Sequence, residues 1–537
     1  MHTLETAPHP PVPTVRRGRF RLSPRARRWL AAAGFVLLAG VMIGIWFVGQ
    51  NWPFRYRKIH PLLEDVFGSQ VIISHYHRTY FPHPGFIATG LTIRRKSAPD
   101  QPPIGTVTTF FVQGKWTDLF MLRDRVLLVD MTGVHLVLPP PGSRAAEEDF
   151  PAGSSSNFTG PETAIASLQV HDSVLDVLRG NGKRFKFPIR WLRLEHMHRG
   201  QAMAFAVDMD NAIPWGRILA AGSFGPLNAS SLGETPVSGS FTFDHVNLSD
   251  VGELHGTLAS SGRFNGKLDA LDAQAQTETP DFAVKDGHAT SVSGAIECTV
   301  NGTNGDVAYR SLEARTGGTV VRASGSTAGN RGKSTHLDIA VQQGRAEDVM
   351  RPFLKRPVPI AGPVMLHARA YLEPMRPDRG FLDRLHLDGA FDVPAERLAN
   401  ADMRNKLSTF SRRAQGHKVP DPPKGSSEPG VDAISSVEGP ATIEKGIVHT
   451  SNLRFQVAGA SARLSGTFNF HTSAVHLTGK MTTNADLSDV TTGFKSFLLE
   501  AIDPLFRHHR KHGAVVPIAV TGTPGRYSVT QNFRHSK

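Results

Sequence analysis

Short segments in which apolar and polar residues alternate make up most of this 537-residue chain. Residues 239–244 and 335–341 are examples, and a Gly, Pro or Asp follows most such runs. Alternate side chains of an extended strand point to opposite faces, so this pattern gives each strand one apolar and one polar face. The sequence therefore predicts more than about twenty short β-strands, most of them between residues 164 and 482.

Helical spacing of apolar residues occurs in only a few places. Residues 57–67 predict a short helix, and residues 116–122 and 345–354 predict one or two helical turns each. The longest predicted helix covers residues 488–507, and we interpret it as a candidate lipid-contact helix. Its apolar side is formed by Phe494, Phe497, Leu498, Ile502 and Leu505.

The stretch 29–48 departs from the alternating pattern, because it contains twenty consecutive uncharged residues. As a helix it would measure about 30 Å, the thickness of a bilayer core. Seven arginines precede it, so the positive-inside rule predicts a cytoplasmic N-terminus and an exported chain from about residue 51. A cleaved signal peptide is the alternative, but no small-x-small site follows residue 48. The predicted anchor residues are Arg27, Arg28, Trp29, Leu37, Leu38, Trp46, Phe47 and Trp52.

Two stretches of low apolar content, 139–163 and 415–433, interrupt the strands and predict loops. They divide the chain into segments. The predicted segments are a basic cytoplasmic tail (1–28), a transmembrane helix (29–50), an N-terminal β segment (51–138), a mobile loop (139–163), a central β-groove (164–414), a flexible loop (415–433) and a C-terminal β segment with an amphipathic helix (434–537).

The ratio of strands to helices predicts a mainly β fold with few short helices. A closed sandwich would need bulkier inner faces than these Gly-, Ala- and Thr-rich strands offer. We therefore expect an N-terminal transmembrane helix followed by a long curled, antiparallel-rich sheet that forms an open hydrophobic groove. About twenty strands at a spacing of roughly 4.8 Å would give a sheet on the order of 100 Å long.

Composition adds limited information. The net charge is +13, and the first 28 residues supply +6 of it, so the high isoelectric point reflects membrane topology and not nucleic-acid binding. Cys298, the single cysteine, cannot form an internal disulfide and is predicted to be a small buried strand residue. This composition is typical of a bacterial envelope protein.

Candidate chemical groups are few. His75 and His77 would share one strand face, but a third metal ligand is not evident. Residues 508–512 are rich in His, Arg and Lys and follow the predicted helix, where cations favour its carboxyl end. Asp208 and Asp210 have the spacing of an acid/base pair, which is also typical of an exposed strand face. No hydrolase, nucleotide-binding or zinc-protease motif occurs, so we predict neither catalysis, cofactor nor metal. An exported hydrolase remains the least favoured alternative.

Several phrases and their order resemble the AsmA family of bacterial envelope proteins. They are VQGKWTDLF at 112–120, LSGTFNF at 464–470, DLSD at 486–489 and PIAVTGT at 517–523. The resemblance implies a single-pass inner-membrane protein, periplasmic for the most part, that binds or transfers phospholipid acyl chains in a β-groove and contributes to outer-membrane biogenesis. It carries no catalytic residues. Implied partners are membrane lipid and outer-membrane assembly proteins, and a scaffold for such assembly that carries no lipid is the alternative.

Overall fold

The fold is described from a computed structural model. It places residues 39–42, 49, 52–67, 69–95, 102–121, 125–139, 164–178, 184–198, 200–228, 231–329, 332–355, 358, 360–376, 378–398, 401–417, 435–484, 515–523 and 526–531.

Most of the described residues lie in β-strands. Hydrogen bonds join twenty-three strands into one large mixed sheet that is not closed, and two further strands, β10 and β17, pair at its margins. The mainly β fold with few short helices is thereby confirmed. The strands are β1 (Gln70–Thr79), β2 (Gly85–Arg94), β3 (Gly105–Gln113), β4 (Arg125–Leu138), β5 (Ala164–Leu178), β6 (Arg184–Met197), β7 (Met203–Ala212), β8 (Trp215–Phe224), β9 (Pro236–Asn247), β10 (Leu254–His255), β11 (Thr257–Lys267), β12 (Ala270–Val284), β13 (Thr290–Val300), β14 (Val307–Thr316), β15 (Thr319–Ala328), β16 (Ser334–Arg345), β17 (Ile360–Ala361), β18 (Pro363–Leu372), β19 (Leu385–Leu398), β20 (Ser435–Glu444), β21 (Ile447–Val457), β22 (Ala460–Asn469), β23 (Val475–Thr483), β24 (Val515–Thr523) and β25 (Arg526–Gln531).

Each strand of the large sheet pairs with the next one along the chain, and the pairs are antiparallel except for β4 and β5. We call rim A the end of the sheet at which β9, β12, β14, β16, β19 and β21 finish. Rim B is the opposite end, at which β1, β3, β11, β13, β15, β18, β20 and β22 finish. Because pairing follows chain order, the register of each strand is set by its two sequence neighbours.

Among the residues described from 52 onward, the α-helices are short and lie outside the sheet. They are α1 (Tyr56–Phe67), α2 (Trp116–Phe120), α3 (Ala346–Met350), α4 (Phe381–Arg384) and α5 (Ala401–Ala414). In the described part of the chain, three single 3₁₀ turns occur at Leu232–Glu234, Leu248–Val251 and Arg351–Phe353.

Three hydrophobic clusters form where a connecting segment packs on one face of the sheet. The segment 52–67, which contains α1, buries Trp52, Phe54 and Leu63 in one cluster with strand residues of β1–β7. Helix α5 packs on β21–β24, and α3 packs on β16, β18 and β19. The same face is therefore covered at its two ends and at one point of rim A.

Helix α1 also protects the first edge strand. His60 Nε2 donates to Val71 O (2.8 Å), and Val71 N donates to Glu64 Oε1 (3.3 Å). An edge strand otherwise presents unpaired backbone groups that can recruit another strand. Two side chains of α1 thus occupy the exposed hydrogen-bonding groups of Val71.

The two rims come into contact through residues that are far apart in the sequence. We call this contact the rim bridge (Glu253, Lys285, Asp383 and His471). Lys285 Nζ lies 3.0 Å from His471 Nδ1 and 3.5 Å from Glu253 Oε1. His471 Nε2 lies 3.1 Å from Asp383 Oδ1. Glu253 and Lys285 belong to rim A, whereas Asp383 and His471 belong to rim B. The sheet therefore coils, bringing opposite rims together.

Sheet twist explains this contact. Strands β12 and β22 are nine pairings apart in the sheet. Adjacent strands rotate by about 20–25°, so the accumulated rotation approaches about 200°. A rotation of that size exchanges the two ends of a strand, and rim A of one part then faces rim B of the other.

A cysteine pair across the rims tests the coil. A Cβ built on Gly380 would meet the carboxylate of Glu253, so Glu253→Cys with Gly380→Cys, in a Cys298→Ser background, places two thiols close together. We expect mild oxidation to form a disulfide that closes a long loop. Faster migration on a non-reducing gel would report it, with the two single variants as controls. Unchanged migration of the double variant would contradict the rim bridge.

Candidate functional site

One row of side chains crosses eighteen strands, from β1 to β20, without a charged or amide member. Residues opposite one another in register point to the same face of a sheet, so the row marks one continuous face. We call it the apolar face, and the reverse the polar face. The row is Tyr76, Ala88, Phe110, Met131, Val170, Leu192, Val207, Ala220, Phe241, Gly262, Ala275, Ile296, Leu312, Ala323, Ile339, Ala368, Gly389 and Ala441.

Exposure varies along this row. Ala88, Phe110 and Val170 are buried beneath or beside the segment 52–67. From Leu192 in β6 to Ile339 in β16, every member is partly exposed. In β11 and β12 the burial alternates residue by residue, and the polar face is the more exposed of the two. The middle of the apolar face thus retains solvent-accessible apolar surface.

Three phenylalanines form the bulkiest part of this middle region. The ring centroids of Phe241 and Phe264 are 6.4 Å apart, and those of Phe205 and Phe264 are 6.5 Å apart. Two glycines allow the rings to lie on the backbone. A Cβ on Gly239 would approach Phe264 Cζ to 2.9 Å, and one on Gly262 would approach Phe241 Cε1 to 2.9 Å. The glycines therefore leave room for an aromatic floor at β7–β11.

The polar face holds the two aspartates that sequence reasoning considered as an acid/base pair. The prediction that they lie on an exposed strand face is wrong, because Asp208 is 2% and Asp210 8% exposed. Arg217 donates to Asp208 (2.7 and 3.0 Å), and Arg190 donates to both aspartates (3.1 and 3.0 Å). The hydrogen bonds from Arg217, followed by those from Arg190, lower the pKa of Asp208 despite its burial. Asp208 is consequently a fixed anion in an ion-pair network.

Two adjoining depressions, of about 710 and 730 Å³, lie on the polar face across β14–β20. Both are lined by Asp338, Arg369 and Asp388, which are direct cross-strand neighbours. Alternating charges of this kind offer hydrogen bonds to water and polar groups, and they do not suit hydrocarbon.

The other candidate groups have no shared site. His75 and His77 are exposed on β1, and no group of three or more His, Cys, Asp or Glu side chains that could hold a metal ion occurs in the described part of the chain. Cys298 is buried in β13, as predicted, and burial raises the pKa of its thiol. Residues 508–512 lie outside the described residues.

Trp52 corrects the predicted set of anchor residues. Its ring is 2% exposed and packs against Phe54, Tyr80 and Trp116, with centroids 4.8–6.1 Å apart, so it is part of the protein core and does not face lipid. The physical reason is the approach of the segment 52–67 to the apolar face. The other predicted anchor residues, Arg27, Arg28, Trp29, Leu37, Leu38, Trp46 and Phe47, lie outside the described residues, as do the predicted lipid-contact residues Phe494, Phe497, Leu498, Ile502 and Leu505.

Among the residues that the structure places, no helix has the length and apolar character needed to cross a membrane.

The sequence analysis did not predict helix α5. Its buried residues Leu407, Phe410 and Ala414 have helical spacing, and that signal could have identified it.

The two faces of the sheet offer different chemistry. The apolar face offers dispersion contacts and burial to hydrocarbon, while the polar face offers ion pairs and hydrogen bonds.

No protein-family model matches this sequence, and no curated protein matches it either.

Proposed function

We propose that this protein is anchored in the bacterial inner membrane and binds or transfers phospholipid along the apolar face of its sheet, which acts as a hydrophobic β-groove. The unbroken apolar row through eighteen strands carries this proposal. Its partly exposed members between Leu192 and Ile339 are apolar groups that an acyl chain would bury. The physiological role would be a contribution to outer-membrane biogenesis.

The length of the apolar row is sufficient for more than one lipid. Eighteen strands at about 4.8 Å give a row about 80 Å long. An acyl chain spans about half of a 30 Å bilayer core, that is, about 15 Å. Each buried methylene contributes about 0.8 kcal/mol, so a chain lying along the aromatic floor would be held by many small contributions. Several acyl chains could then lie one after another along the row.

The two covered ends of the apolar face limit where lipid would lie. The segment 52–67 contacts β1 and β2 and shares a hydrophobic cluster with residues as far as β7, and α5 packs on β21–β24. Hydrocarbon would therefore contact the region between these segments, and the aromatic floor of Phe205, Phe241 and Phe264 lies within it.

Photo-crosslinking from the full-length protein in cells tests this proposal. We expect p-benzoylphenylalanine in place of Phe264 to form phospholipid adducts that mass spectrometry detects. The matched control is the same amino acid in place of Gln274, on the exposed polar face of β12. Equal lipid labelling from both positions, or none from Phe264, would contradict it. Adducts with outer-membrane assembly proteins in place of lipid would instead support the scaffold alternative.

A further inference from the structure

The turn between β1 and β2 presents a large apolar side chain to solvent. Phe81 is 91% exposed, the highest value among the large hydrophobic residues that the structure describes, and the adjacent Tyr80 is 52% exposed. Met121, on the next connection at rim B, is 63% exposed. Single exposed apolar side chains are common on protein surfaces, but here three of them lie on neighbouring connections of the same rim, as at surfaces that contact a membrane or a partner.

The position of this turn relates it to the membrane-facing end of the chain. Tyr80 packs on Trp52, with ring centroids 4.8 Å apart. Trp116 Nε1 donates to Pro82 O (3.1 Å), which ties the turn to α2. Trp52 is only four residues beyond the apolar stretch 29–48. The turn is therefore held beside the point at which the proposed membrane anchor would emerge.

Basic side chains flank the same turn. Arg78 lies just before it, and Lys115 adjoins it because Gly114 N donates to Pro84 O (2.7 Å). Both basic residues are exposed. Exposed aromatic residues combined with cations are typical of protein surfaces that lie in the headgroup region of an anionic bilayer.

We infer that the turn 80–83, together with Met121, inserts into the interfacial region of the membrane that holds the anchor. This inference rests on the anchoring part of the proposed function. The contact gives the sheet a second attachment besides the anchor and fixes its orientation at the bilayer. The end of the sheet at β1–β3 then lies next to the bilayer.

Site-directed spin labelling of the full-length protein tests the insertion. In a Cys298→Ser background, Phe81→Cys is labelled and the protein is placed in nanodiscs of phosphatidylethanolamine and phosphatidylglycerol. We expect the label to be several-fold more accessible to oxygen than to a water-soluble nickel chelate, because oxygen concentrates in the bilayer. Met365→Cys is the matched control, since Met365 is an exposed hydrophobic residue (43%) on β18, far along the sheet. Its label should show the opposite preference.

Labels at Phe81 and Met365 with the same aqueous accessibility would overturn the inference. A Phe81→Ser variant provides a second measurement, because removal of an exposed side chain leaves folding intact. In the same nanodiscs, we expect Phe81→Ser to make a label at Met121→Cys several-fold more accessible to the nickel chelate, and an unchanged accessibility would contradict the insertion. Lipid adducts at position 264 are measured separately, so loss of those adducts with an inserted Phe81 label would refute only the proposed lipid binding.

Discussion

Ala275→Asp should reduce phospholipid binding more than tenfold while leaving the fold intact. Ala275 lies in the apolar row on β12 and is partly exposed, so a carboxylate there stays hydrated in the lipid-free protein. An acyl chain that covers this position would have to remove that water, and desolvation of an ionised group costs several kcal/mol. Each loss of about 1.4 kcal/mol is a factor of ten in affinity. Uptake of a fluorescent phospholipid by the full-length protein measures the effect.

The neighbouring residue provides the control for this prediction. Gln276→Asp introduces the same charge one position away, on the exposed polar face of the same strand. Its uptake should remain within about twofold of the parent, since the carboxylate faces water with or without lipid. Melting temperatures of both variants exclude unfolding as the cause. Equal losses in the two variants would argue against lipid binding on the apolar face.

Asp208→Asn should produce the largest loss of stability among substitutions on the polar face. The change removes the charge that Arg190 and Arg217 share. It leaves the Arg217 guanidinium facing a neutral amide, whereas Arg190 keeps its ion pair with Asp210. Breaking a buried ion pair typically costs about 3–5 kcal/mol. Because the two arginine side chains are 44% and 47% exposed, we expect a smaller loss, about 2 kcal/mol. Urea unfolding at neutral pH measures it.

The same aspartate gives this prediction a pH dependence. The pKa of Asp208 in the folded protein is lowered from 3.8 by the arginine hydrogen bonds. Its ionised form therefore stabilises the fold fully above the pKa of the unfolded chain, and this contribution is lost as the pH falls through the folded-state value. Asp208→Asn should unfold less steeply on acidification than the parent.

Asp272→Asn is the matched control, because Asp272 pairs with Arg310 on the same polar face but is 64% exposed. Exposed ion pairs contribute little to stability, so this variant should unfold close to the parent. A loss as large as that of Asp208→Asn would contradict the importance of burial at Asp208.

Strand positions could be predicted from the sequence because a period of two is a local property. The alternating pattern of residues 435–444 and 460–470 predicts two strands, and the observed β20 and β22 agree closely with them. In residues 125–138 the pattern predicts two strands, 125–130 and 133–138, whereas the structure has one strand, β4. Gly133 adopts a positive φ (66°) within it, which lets the strand continue through a position that reads as a turn.

Other features depend on contacts that no local pattern records. Trp52 was predicted to lie at the membrane interface because it follows an apolar stretch, yet aromatic partners from α2 and from the turn after β1 bury it. The rim bridge joins Lys285 to His471 through twist accumulated over nine pairings. The apolar row could be anticipated only strand by strand, because its continuity depends on the register of every pair.

Strand pairing that follows chain order has a consequence for how such proteins can change size. A duplicated hairpin inserted between two existing strands would extend the sheet by about 10 Å, the width of two strands. The pairing of all other strands would stay the same. Both capped ends would keep their own partners, as terminal units do in repeat arrays. Evolution could therefore adjust the length of this sheet in small increments by gene duplication alone.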